Sequence, residues 1–228
     1  MIKSELDDIW NYCMNLQSDL STTARYIDPR GQQQVYSFEF AKILMLSCTE
    51  LESVMKLICF ELTHETPGSI AQFKNTILEH FPGIVRAKVY VPIIAETIFP
   101  FGNWKDNRLF WWDAYTSVKH NRSQAMKNAS YYNALYALSA LYLSILYLSK
   151  IVDISIDDFG TGYIYSPYSK KLYATSGEDL PTSSSDINPA SDSIIRRYNL
   201  VTFGDDKPPS AAQDKDIHFS VEWLVFAR

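Results

Sequence analysis

Lys119, His120 and Arg122, grouped around Asn121, place two permanent cations beside a side chain that titrates close to neutrality. A histidine is the usual general acid or base, and an ammonium or guanidinium beside it holds phosphate oxygens or stabilises an anionic transition state. That set suits cleavage of RNA through the ribose 2′-hydroxyl. If the segment is helical, Asp113, Thr116 or Ser117, and His120 fall at i, i+3 or i+4, and i+7, a polar stripe offering His120 a partner. A structural role competes with this chemistry. Cations in a last helical turn complement the dipole, and Lys119-His120-Asn121-Arg122 then ends one helix before the next begins near Ser123.

Other chemical candidates are sparser. Glu50 and Glu52, with Lys56, either turn a carboxylate into the bundle beside His120 or form a solvated face, and amphipathic spacing favours the solvated face. His64 and His80 fall near helix ends and His218 on a strand. No Cys/His/Asp spacing matches a zinc site, and no Gly-x-x-x-x-Gly-Lys-Ser/Thr or Gly-x-Gly-x-x-Gly loop is present. Neither metal nor nucleotide cofactor is expected.

Mostly helical elements carry these residues. Ser4-x-x-Asp7 resembles a capping box, and Ile2, Leu6, Ile9, Cys13, Leu16 and Leu20 recur at steps of four and three. Asp28-Pro29-Arg30-Gly31 makes a turn, after which Ser37 caps a long second helix with Glu39 in its first turn. Phe40, Leu44, Leu51, Val54, Met55, Ile58 and Leu62 form its buried stripe, with Glu52 and Lys56 paired at i,i+4 on the other side. Pro67 suits a first helical position, and Ile70, Phe73, Ile77 and Phe81 carry a third helix to Pro82-Gly83. Residues 84–91 alternate like a strand, although an extended connector before Pro92 fits as well. From Leu109 to His120 the spacing is helical again, so the cations sit at a helix end.

No charged side chain lies between Lys127 and Lys150, a stretch long enough to cross a bilayer. Asn128, Asn133 and four serines interrupt it, its tyrosines run along its whole length, and no second span exists. A fully buried central or dimer-interface helix is therefore expected, with no membrane insertion.

Past Val152 the texture changes to short apolar runs between turn residues. Tyr163-Ile164-Tyr165, Lys171-Leu172-Tyr173, residues 194–203 and residues 217–226 read as strands of a small antiparallel sheet. The stretches 176–193 and 204–216, rich in Ser, Asp and Pro, read as surface loops. The expected organisation is a helical bundle over residues 1–152 followed by a β-rich extension over 153–228.

The totals bound what such a protein does. With 46% apolar and 21% charged residues the chain folds, and a net charge of −5 argues against coating nucleic acid by bulk electrostatics. Any nucleic-acid contact must be local. Cys13, Cys48 and Cys59 sit among apolar residues and read as reduced core thiols. The N-terminal segment turns acidic at once and lacks a signal-peptide layout, so the cytoplasm is the expected location.

Several segments in order, Tyr36-Ser37-Phe38-Glu39-Phe40, then Leu46 to Lys56, then Pro100-Phe101-x-x-Trp104, then Trp111-Trp112-x-x-Tyr115-x-x-x-Lys119-His120-x-Arg122, then Asn133-Ala134-Leu135-x-Ala137-Leu138, resemble a divergent group of bacterial HEPN-like proteins. The resemblance spans residues 1–152 and implies an antiparallel helical bundle that forms a homodimer. Many HEPN proteins are metal-independent RNases of toxin, CRISPR and phage-defence systems, and active members carry an Arg-x4–6-His motif. This chain departs from it: Ala114, Tyr115 and Thr116 stand where that arginine is expected, and the nearest upstream arginine is Arg108. Only His120 transfers, with Arg122 as the replacement charge and Lys119 beside it at the phosphate. The resemblance thus implies either an RNA- or protein-interaction module, with Tyr163, Tyr165 and Tyr168 of the extension offered to a partner protein, or a ribonuclease using His120 as general acid/base.

Overall fold

Three helices, one of them almost free of charge, build the core of the computed structural model, which describes residues 3–91 and 93–154 and the backbone of four later short strands. They are α1 (Lys3–Thr23), α2 (Phe38–Thr63) and, by chain order, α6 (Tyr131–Ile151). Between them come α3 (Ile70–His80), a hairpin of β1 (Lys88–Val91) and β2 (Glu96–Ile98), α4 (Phe110–His120) and the single turn α5 (Arg122–Ala125). The protein is mainly helical.

The capping chemistry agrees with the sequence at Ser37, whose side chain accepts from the Phe40 N–H at 3.1 Å. Ser130 does the same for α6, accepting from Asn133 N at 3.2 Å. Two expected starts differ. The first helix already includes Lys3, so Ser4 lies inside it and caps nothing. The third begins at Ile70, not at Pro67, because Ser69 accepts from Gln72 N while the Gln72 side chain accepts from Gly68 N at 3.0 Å and from the Ser69 hydroxyl at 3.1 Å. A reciprocal box of this kind outweighs proline's preset φ.

Residues 84–91 also divide differently. Pro82–Arg86 winds as a 3-10 turn, with Ile84 and Ala87 buried three apart, and only Lys88–Val91 is strand. Val89 pairs with Ile98 and Val91 with Glu96 in the antiparallel hairpin.

The direction of the helices departs from a wholly antiparallel bundle. Lys42, early in α2, bridges to Asp19, late in α1, so α1 and α2 are antiparallel. α2 and α6, by contrast, start side by side. Ser37 N donates to Ala129 O and Tyr131 N to Val35 O, Phe40 meets Tyr131 edge-on at 5.5 Å, and the two helices run the same way. The long connection through α3, the hairpin and α4 returns the chain to the end where α2 began, which a short loop does not allow.

α6 packs as a core helix does. By length and composition it passes as a span, yet 83% of its apolar window is buried within this one chain. It is the central helix of the monomer, with Tyr142 against Trp10 of α1 at 5.4 Å and Tyr147 against Phe81 at 5.2 Å. Tyr132, Asn133 and Tyr136 near its start remain partly exposed. Cys13, Cys48 and Cys59 are free and buried.

The later strands are β3 (Tyr163–Ser166), β4 (Lys171–Ala174), β5 (Val201–Thr202) and β6 (Ser220–Glu222). β3 and β4 pair antiparallel, β5 pairs antiparallel with β6, and β6 runs parallel to β1. The expected loops at 176–193 and 204–216 lie outside the described residues, as do the side chains of Tyr163, Tyr165 and Tyr168.

Candidate functional site

The tryptophans that identify α4 in the sequence hold it in place. Trp111 is fully buried and its indole N–H donates to Pro100 O at 2.9 Å. Phe101 packs on Trp104 at 5.1 Å and edge-on to Trp111 at 6.2 Å. The Pro100-Phe101-x-x-Trp104 segment is thus the socket into which α4 is fixed, and its outward face is set by that docking.

α4 ends at His120. Asn121 adopts φ −148° and ψ 69°, which stops the helix, and its backbone N–H still donates to Ser117 O at 2.9 Å. Its side-chain amide donates to Gln124 Oε1 and its carbonyl oxygen accepts from Ser123 Oγ, so the corner into α5 is internally bonded. Arg122 is the first residue of α5.

Lys119, His120 and Arg122 are all exposed, and as neighbours on one helix Lys119 and His120 leave it about 100° apart. Lys119 folds back one turn along α4, where its ammonium donates to the Tyr115 hydroxyl at 3.2 Å and lies 5.3 Å from the centre of that ring. The Tyr115 hydroxyl, and more weakly the Glu52 carboxylate on α2, favour the ammonium and raise its pKa. His120 and Arg122 have no hydrogen-bond or ion-pair partner among the described residues.

The polar stripe forms without serving His120. Thr116 donates to Trp112 O at 2.9 Å and Ser117 to Asp113 O at 2.8 Å, each back along its own helix. Asp113 pairs at 3.7 Å with Arg108, whose side chain is 88% exposed. Arg108 is therefore engaged at the opposite end of α4 and supplies no charge beside His120.

Glu50 and Glu52 separate. Glu52 binds Lys56 at 3.0 Å on the partly exposed side, as the spacing favours. Glu50 is half-buried toward α1; burial first and the Glu50 charge second push up the pKa values of Tyr12 and Cys13, and burial raises that of Glu50 itself. His64 caps α2 in the left-handed region and meets Phe60 edge-on, while the ring of His80 is bonded to Thr76 O at 2.9 Å. His218 lies outside the described residues.

A cavity of about 370 Å³ opens between the end of α1 and the start of α2, lined by residues that include Tyr26, Asp19, Glu39 and Phe40. Lys42 bridges both carboxylates, and none of the three cations of the α4 corner lines it. Among the described residues no group of three His, Cys, Asp or Glu is placed to hold a metal ion.

Two contacts of Lys119 differ in how far the sequence announces them. Tyr115 as the partner of Lys119 carries a readable signal, the i,i+4 spacing of an aromatic and a cation. Glu52 acting on Lys119 carries none, since the two are brought together only by the packing of α2 on α4. No family model matches the chain, and neither a curated protein nor a solved structure matches it.

Proposed function

We propose that this is a HEPN-like interaction module of the cytoplasm that holds the phosphate backbone of RNA at the corner between α4 and α5 without cleaving it. The observation that carries the reading is the exposure of Lys119, His120 and Arg122 within four residues of one helix corner, with His120 and Arg122 unpaired among the described residues. Exposed cations with free donors suit the phosphates of a polyanion. Catalysis is disfavoured because nothing among the described residues orients His120, Thr116 and Ser117 being bonded to their own helix and Arg108 to Asp113. A homodimer remains part of the reading.

The test is fluorescence anisotropy of labelled single-stranded RNA at low ionic strength. Wild type binds, and replacing Lys119, His120 and Arg122 together by alanine weakens binding at least tenfold. The slope of log affinity against log salt falls by about 1.4 for the two permanent cations. Equal binding by the triple variant refutes the site. Cleavage of the RNA by wild type that disappears in His120→Ala refutes the absence of catalysis and makes the protein a metal-independent endoribonuclease.

A further inference from the structure

The three cations of the corner are not equivalent. Tyr115 is only 4% exposed and its ring is wedged edge-on against Trp112 at 5.2 Å, so its orientation is set by the core. Its hydroxyl accepts from the Lys119 ammonium at 3.2 Å, which holds the ammonium 5.3 Å from the ring centre, at the hydroxyl end of one rigid side chain. Glu52, tethered in turn to Lys56 at 3.0 Å, adds attraction from α2. His120 and Arg122 have no such restraint among the described residues. An ammonium has three donors, and Tyr115 uses one, so two remain for phosphate oxygens. A cation already ordered loses less side-chain freedom when it binds than a free one does.

We propose that Tyr115 is the positioning residue of this site, presetting Lys119 as the anchor for a phosphodiester backbone to which His120 and Arg122 then adjust. The inference rests on the reading of the corner as an RNA contact and names the side chain that organises it. Tyr115 does not touch the RNA itself; it acts through Lys119.

The test measures binding of a fluorescein-labelled oligouridine by wild type, Tyr115→Phe, Lys119→Ala and the double variant. Tyr115→Phe keeps the buried ring and loses only the hydroxyl, so it folds, which superimposable melting curves check. Tyr115→Phe is expected to weaken binding about threefold to fivefold with an unchanged salt slope, because the charge is still present. Lys119→Ala lowers the slope by about 0.7. In the Lys119→Ala background Tyr115→Phe has no further effect, a coupling that a merely structural role does not produce. Wild-type affinity in Tyr115→Phe, or the same loss with and without Lys119, overturns the positioning role alone. A wild type that binds no oligouridine at low salt overturns the RNA reading and the positioning role with it.

Discussion

Two serines on α6 should respond to the same substitution with opposite signs. Ser139 is fully buried and its hydroxyl has no hydrogen-bond partner among the described residues. Ser149 is also buried, but its hydroxyl donates to Leu146 O at 2.8 Å. Leaving a hydroxyl desolvated and unpaired costs about 1 kcal/mol or more. Alanine also gains up to about 0.5 kcal/mol of helix propensity over serine. For Ser139→Ala the two effects add, and stability should rise by about 1 to 1.5 kcal/mol. For Ser149→Ala the lost hydrogen bond, worth about 1 kcal/mol, outweighs the propensity gain and leaves a loss of about 0.5 kcal/mol. The two variants should therefore differ by about 1.5 to 2 kcal/mol, which for a chain of this size separates their melting temperatures by about 3–8 °C. Thermal and urea unfolding followed by far-UV circular dichroism measure both. Ser47 on α2 carries another unpaired buried hydroxyl, so Ser47→Ala should behave like Ser139→Ala. If Ser139→Ala instead destabilises by 1 kcal/mol, the hydroxyl has a partner and the reasoning fails.

Trp111→Phe removes the indole bond to Pro100 O and opens a void behind α4, for an expected loss of about 2–3 kcal/mol in urea unfolding; an unchanged midpoint would mean that the socket does not hold the helix. Glu50→Gln bears on pH. Burial raises the Glu50 pKa above its unfolded value, so the folded state keeps the proton longer and its contribution to stability is lost as pH rises through the folded pKa. Glu50→Gln should thus melt above wild type at pH 7 and level with it near pH 4, and equal melting at both would refute the assignment. Burial also pushes the Cys13, Cys48 and Cys59 thiols up, so none should react with Ellman's reagent until the protein unfolds, and rapid labelling of native protein would contradict their placement.

What the sequence showed and what it concealed follow the range of the interactions concerned. Periodicity and a serine cap locate α2, since both are local signals, and the charge-free run locates α6, the most buried helix. The start of α3 was misplaced because proline and a serine-glutamine box compete within three residues and only hydrogen-bond geometry ranks them. The strand at residues 84–91 was drawn too long because Val85, Ala87, Val89 and Val91 alternate whether or not a partner exists, and the partner, Glu96–Ile98, is too short and too polar to announce itself. The parallel run of α2 and α6 has no local signature. At the site, spacing gave the positions of Lys119, His120 and Arg122 but not their directions, which depend on Tyr115 for Lys119 and on the backbone of Asn121 for Arg122.

The burial of α6 inside a single chain has a consequence for how the protein is made. Among the described residues every helix that packs on α6 precedes it, so during synthesis α1 to α4 emerge as walls around an empty slot, with the apolar face of α2 uncovered. Contacts such as Trp10 with Tyr142 join residues far apart in the chain and form only after most of it has been made. A nascent chain stalled before Tyr131 is then a client for chaperones rather than a small bundle. Any truncation that removes α6 should yield insoluble protein even though every cation of the α4 corner is still present.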